Sequence, residues 1–325
     1  MRRISLIGLL LLALAVPTLA GGATKDVQLA LVAYSTPKTA FSKLIPAFQK
    51  TSAGQGVTFT QSYGPSTTQA NAIVAGLPTD IAYLSLTPDI DTLVQHDLVS
   101  PSWDKNRWHG IVTKSIVVFV VRSGNPKHIR TWSDLLKPGV QVVTPNPFTS
   151  GGARWNTMAA YGGALRAGKS PKQAIAYLTA LYRQHVVAQP SSAALALTTF
   201  LSGKGDVLLS YENEAILAQQ QGHAINWVAP KATILIQNPI AVTSTSQHQA
   251  TAKAFVNWLY TPQAQTLFAS TGYRPVLKSV AKQFHFTNPK QLFTISYVGG
   301  WNKVEKTFFD PQSGVMAKIE QGLGG

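Results

Sequence analysis

The chain has 325 residues, no cysteine, 45% apolar and 13% charged residues, and 28 Lys+Arg against 13 Asp+Glu, for a formal charge of +15. That composition excludes a disordered chain and a disulfide-stapled scaffold, and it leaves room for two domains with substantial cores. The basic surplus attracts anions, but the basic residues are scattered singly, without zinc-finger spacing, RNP-like aromatics or a Lys/Arg run, which argues against nucleic acid.

Met1-Arg2-Arg3, the apolar run from Ile4 to Val16 and Pro17-Thr18-Leu19-Ala20 have the order of a secretory signal peptide, taken as residues 1–20. The run is shorter than the roughly 20 apolar residues a membrane span needs. With no cysteine to carry a lipid, the product reads as exported to the periplasm and free of an anchor.

After the signal, 27–34 reads as a strand, and Phe41, Leu44, Ile45 and Phe48 fall at helical spacing. A strand at 57–62, a helix at 69–76, a strand at 80–85 and a short helix at 89–95 follow. This alternation argues for a parallel α/β sheet whose strand ends carry the ligand loops. Residues 115–122 form a β-branched run too apolar for an edge, leading into a second domain. That domain holds helices at 132–136, from about Arg154 and at 171–183, with strands at 140–143 and 206–210. A strand at 234–242, interrupted by Pro239, crosses back, and helices at 250–259 and 262–270 come next. Two connections between lobes make a hinged cleft. From Lys290 onward the pattern is mixed.

The most informative stretch is Asn-Pro-Phe-Thr-Ser-Gly-Gly-Ala-Arg-Trp at 146–155, between a strand and a helix. Such a junction turns its first free N–H groups outward, and Gly151 and Gly152 let the main chain press against a ligand. Free donors at the positive end of a helix suit an oxyanion. Neither the P-loop nor the G-x-G-x-x-G pattern occurs. The decapeptide closely resembles the sulfate-binding proteins that serve bacterial sulfate and thiosulfate ABC importers. The resemblance extends through Ser62–Gln69, Val117–Lys127, Gly205–Glu214, Asn257–Gln265, Tyr273-Arg274-Pro275 and Leu292–Ile295, in order along the chain.

The resemblance implies an α/β, two-lobed periplasmic-binding-protein fold of type II, with parallel or mixed sheets flanked by helices. One lobe would be 24–114 plus 240–325 and the other 115–239. It further implies a dehydrated anion held by Ser35, Ser66, Ser150, Gly151, Gly152, Ala193 and Tyr211, mostly through backbone N–H, with no cofactor and no catalysis. The implied partners are the permease subunits of an ABC transporter, and the implied state is a monomer. Ser35 stands where the family usually has Asp, Tyr211 where better-known members have an indole, and Pro65 and Thr68 replace a glycine and a lysine. The arginine after the Ala193 position is absent.

Sulfate is fully ionised and wants a donor for every oxygen, whereas hydrogen phosphate needs one acceptor. The matched loops carry no carboxylate, and Glu212, the nearest acid, should face away from Tyr211, which favours sulfate or thiosulfate. Other readings stay open: molybdate or a phosphate-like oxyanion, ferric iron held by Tyr63 and Tyr211, and an acyl enzyme using the S-x-x-K of Ser35 and Lys38. The last lacks its S-D-N and K-T-G elements. The seven histidines are dispersed and form no metal pair.

Overall fold

A computed structural model describes residues 26–321, so the expected signal peptide lies outside them. Strand β1 (Val27–Tyr34) leads into α1 (Lys38–Gln49), where Phe41, Leu44, Ile45 and Phe48 are all buried. Their three-and-four spacing puts them on one helix face, and burying each contributes roughly 1.5–3 kcal/mol. Next come β2 (Val57–Gly64), α2 (Ser66–Val74), β3 (Ile81–Tyr83) and α3 (Thr87–Gln95). Helix α2 starts at Ser66 and not at Gln69, because polar residues at a helix start carry no apolar period to mark it.

Strand β4 (Ile111–Arg122) is longer than the apolar run that signals it. Val117, Phe119 and Val121 enter one core cluster while Ile116, Val118 and Val120 enter another. Both faces are covered, which is why the stretch reads as continuously apolar. Beyond a 3-10 turn at Trp132–Leu136 come β5 (Val142–Val143), α4 (Gly151–Arg166), α5 (Pro171–Ala180), β6 (Val186–Ala188), α6 (Ala193–Leu201), β7 (Val207–Tyr211), α7 (Glu212–Gln220), β8 (Ile225–Val228) and β9 (Ala232–Val242). Helix α4 is buried on nearly all sides. It tolerates this because Gly162 and Gly163 leave space for the rings of Phe293 and Trp132, which a methyl group would strike at 2.3 and 2.4 Å.

The strand order is β2-β1-β3-β9-β4-β7-β5-β6. The sheet is mixed: β1 runs parallel to β2 and β3, and β5 runs parallel to β6 and β7, while β4 and β9 run antiparallel to each other and to β7 and β3 respectively. Strands β4 and β9 pair with each other at 111–116 and 235–239, and each then continues into a different half. Residues 117–122 of β4 pair with β7 and β8, whereas 240–242 of β9 pair with β3. Pro239 does not interrupt β9. It lacks an N–H for the ladder, and β4 answers with a register shift between Ile111 and Thr113.

Helices α8 (Gln249–Trp258) and α9 (Pro262–Ala269) return to the β1 half, where Phe255 packs 4.9 Å from Phe48 and Phe268 6.1 Å from Phe41. Then β10 (Arg274–Pro275) pairs with β4, followed by α10 (Lys278–Ala281). Strand β11 (Gln291–Phe293) joins β9 at Ala232–Ile234. The closing helices are α11 (Trp301–Val304), whose Trp301 ring meets Trp155 edge-on and which also touches α3, and α12 (Val315–Gln321); Glu305, just after α11, pairs with Arg154, and Arg183 donates to the carbonyls of Lys318 and Ile319. Gln291–Phe293, Trp301, Glu305, Lys318 and Ile319 thus meet residues between 115 and 239, while the α3 contact of α11 lies in the other half. These elements are too short to show periodicity.

Candidate functional site

Five chain segments from the two halves end at one place. Ser35 follows β1, Ser66 opens α2, Ser150 caps α4 ahead of Gly151 and Gly152, Ala193 opens α6, and Tyr211 ends β7. The first N–H groups of a helix have no intrahelical acceptor, and those of Gly151, Gly152 and Ala193 bond nothing among the described residues. A methyl group on Gly152 would lie 3.4 Å from Ser150 Oγ, 3.4 Å from Ala193 Cβ and 3.6 Å from Tyr211 Cε1. Ala194 N–H donates across the halves to Ser35 Oγ at 3.4 Å. Pro65, in place of the family's glycine, sits at φ −59°, its natural value.

Ser85, absent from the sequence-derived set, ties these residues together. It follows β3, and its Oγ lies 2.6 Å from Tyr211 OH. Its N–H donates to Ser66 Oγ at 2.8 Å, and its carbonyl accepts Trp155 Nε1 at 3.0 Å and Asn238 Nδ2 at 3.2 Å. Its position at the carboxyl end of a parallel strand is the signal that could have found it. A methyl group on Gly151 would sit 2.8 Å from Ser85 Cβ and 2.9 Å from Ser85 Oγ, so that glycine permits the close approach.

Glu212, Arg154 and Asp89, all near this cluster, are each engaged by other side chains. Glu212 is fully buried and turned to Arg274, with Nε to Oε2 at 2.5 Å and a second bond at 2.9 Å. It faces away from Tyr211 because it begins α7, not because a strand alternates. Arg154 pairs with Glu305 at 2.6 Å. Asp89 accepts from Ser66 Oγ at 2.5 Å and Thr67 Oγ1 at 3.0 Å. Burial raises its pKa, while Arg154 and the two hydroxyls pull it down. Burial holds the Tyr211 phenol well above its ordinary value, so it remains a protonated donor.

Glu214, bonded to Ser210 Oγ at 2.6 Å, is pushed by burial up to about 7. A raised carboxyl stabilises the fold fully below its unfolded pKa near 4.5, and that contribution is lost as pH rises through about 7. Glu214→Gln should therefore gain roughly 3 kcal/mol relative to the parent between pH 4 and pH 8, at about 1.4 kcal/mol per pH unit. Urea unfolding at both pH values measures it; parallel pH profiles would contradict it.

Lys38 is exposed and Ser35 Oγ is occupied by the Ala194 amide, so no serine–lysine pair is formed. Tyr63 donates to Gln61 Oε1 at 2.7 Å while Tyr211 bonds Ser85. Surface hollows of about 480 Å³ beside Trp132 and about 620 Å³ beside Asp80 lie away from the cluster. Among the described residues no helix is long and apolar enough to cross a membrane.

Two half-sheets joined by β4 and β9, with neutral donors converging between them, define a two-lobed α/β solute-binding protein of type II. The family model for bacterial extracellular solute-binding proteins matches residues 29–274. The chain is 40% identical over 316 residues to the sulfate-binding protein of Synechococcus elongatus, covering 94% of this chain and 90% of that one. It is 34% identical over 304 residues to the thiosulfate-binding protein of Pseudomonas aeruginosa, covering 89% and 91%. The solved sulfate-binding protein SubI from Mycobacterium tuberculosis H37Rv superposes with a TM-score of 0.85 at 43% identity, over 87% of this chain and all of that one. The chain belongs to the sulfate- and thiosulfate-binding family of bacterial extracellular solute-binding proteins.

Proposed function

We propose that the protein captures sulfate, or thiosulfate, between its lobes and delivers it to the permease subunits of an ABC importer. It acts outside the cytoplasmic membrane, as a monomer after loss of residues 1–20, and catalyses nothing. One lobe is 24–114 plus 240–325; the other is 115–239. Ser35, Ser66, Ser150, Gly151, Gly152, Ala193 and Tyr211 hold the anion.

The observation that carries this reading is the convergence of neutral donors beside Ser85, while Glu212 and Arg154 are engaged in ion pairs elsewhere and Asp89 is held by the Ser66 and Thr67 hydroxyls. A dianion that only accepts hydrogen bonds is matched by groups that donate. The names of the relatives point the same way.

Isothermal titration of protein lacking residues 1–20 should give a micromolar or tighter Kd for sulfate, about −8 kcal/mol or better. Preference for phosphate over sulfate would reject the assignment. Ser150→Ala removes a side-chain donor and should weaken sulfate binding by about 1–3 kcal/mol. An unchanged affinity would remove Ser150 from the site.

A further inference from the structure

The two strands that join the lobes carry a buried hydrogen-bond chain that ends beside the cleft. Thr113 of β4 and Asn238 of β9 stand opposite each other in the β4–β9 register, next to the shift between Ile111 and Thr113. Both are fully buried. Thr113 Oγ1 bonds Asn238 Oδ1 at 3.3 Å and lies 2.5 Å from the Tyr83 hydroxyl, while Asn238 Nδ2 reaches the Ser85 carbonyl at 3.2 Å. That carbonyl sets every direction in the chain. It can only accept, so Asn238 turns its NH2 toward Ser85 and its oxygen toward Thr113. Thr113 therefore donates to Asn238, and Tyr83 donates to Thr113. Bonds running in one sense along a chain polarise and strengthen each other.

We infer that Asn238 is a positioning residue for anion capture: through its amide, the hinge holds the Ser85 segment in its binding geometry while the lobes are apart. The bonds that Ser85 makes to Trp155 and Tyr211 cross the cleft and are lost when it opens. Two others remain. The Ser85 N–H donates to Ser66 Oγ within its own lobe, and the Asn238 amide ties the Ser85 carbonyl to β9. The tie persists in the open form because β9 travels with this segment. Ile240–Val242 pairs with β3, and the Leu84 N–H donates to the Pro239 carbonyl at 3.1 Å. Ser85 in turn sets Ser66, the first residue of α2. Without the amide, the Ser85 carbonyl faces the water of the open cleft, and the segment has to be ordered again at each capture, a cost taken from affinity.

The inference rests on the sulfate reading above and deepens it. The test is isothermal titration with sulfate on the parent protein, Asn238→Leu, Thr113→Val and the double variant. Leucine keeps roughly the shape of asparagine and removes the donor, so Asn238→Leu should weaken sulfate binding about tenfold. Thr113→Val takes away the hydroxyl that orients the amide and should weaken it in the same direction by a smaller factor. Thr113 acts only through Asn238, so the double variant should bind as Asn238→Leu does, with no further loss.

Losses that multiply in the double variant would mark two independent packing effects and overturn the inference. So would parent-like affinity in Asn238→Leu. If Asn238→Leu does not fold, as circular dichroism would reveal, Thr113→Val decides alone, and parent-like affinity there overturns the inference. In each of these cases the parent still binds sulfate and the sulfate reading stands. A parent that does not bind sulfate at millimolar concentration overturns both.

Discussion

Gly151→Ala is expected to weaken sulfate binding by about 100-fold while leaving the ligand-free protein as stable as before. The added methyl would meet Leu86 Cγ and Ser85 Cβ at 2.8 Å and Ser85 Oγ at 2.9 Å. All three atoms belong to the segment after β3, on the opposite side of the cleft from α4. The strain cannot be relieved by turning one flexible side chain, because Ser85 is fixed through its N–H, its carbonyl and its hydroxyl. The two halves must instead stand further apart. Separation stretches the Tyr211–Ser85 and Trp155–Ser85 bonds and moves Ser35 from Ala194. Losing two or three such bonds at about 1 kcal/mol each is a loss of roughly 3 kcal/mol, or about 100-fold. With the halves apart the methyl no longer meets Ser85 or Leu86, and Ala is a better helix former than Gly, so thermal unfolding without ligand should not move downward. Titration with sulfate and an unfolding curve on one preparation test both halves of the expectation. Undiminished affinity would mean that the lobes do not meet across Gly151.

The elements legible in the sequence are those with a strong period or a continuous apolar run. Helix α1 announces itself through Phe41, Leu44, Ile45 and Phe48, and β4 through Ile116–Val121. Helix α7, with Glu212, Asn213 and Glu214 all buried in its first turn, shows no apolar stripe, since the two glutamates are buried against polar partners, Arg274 and Ser210. The closing elements β11, α11 and α12 are short and gain their structure from packing on β9, on α4 and on the segment around Arg183 respectively, which no local window contains. In the site, the glycine-rich start of α4 is visible because a free helix terminus needs Ser-Gly-Gly chemistry locally. Ser85 is not, because its meaning lies in partners at 66, 155, 211 and 238, none of them near it in sequence. Asp89 is hidden for the same reason: its role is set by Ser66 and Thr67, a whole strand earlier.

A neutral anion site works only if the charges behind it are held elsewhere, and Arg274→Met is expected to expose the cost of that arrangement. Glu212 directly follows Tyr211 and is fully buried, with both carboxylate oxygens on the Arg274 guanidinium. Removing one partner of a buried ion pair leaves an uncompensated charge, a loss of about 3–5 kcal/mol. The pH dependence has a definite sign. Burial already raises the Glu212 pKa, and Arg274 is the main influence lowering it. Without the arginine the folded pKa rises further, so stability relative to the parent is least impaired below the unfolded carboxylate pKa and falls as pH rises. Denaturant unfolding at pH 5 and pH 8 should therefore show the larger deficit at pH 8. Glu212→Gln combined with Arg274→Met should recover part of it, since the orphaned charge is gone. The single variant should also weaken sulfate binding, because a Glu212 seeking water pulls on the strand end that holds Tyr211. A deficit independent of pH, with no recovery in the double variant, would show that Arg274 matters for its packing over Phe286 and not for the charge it neutralises.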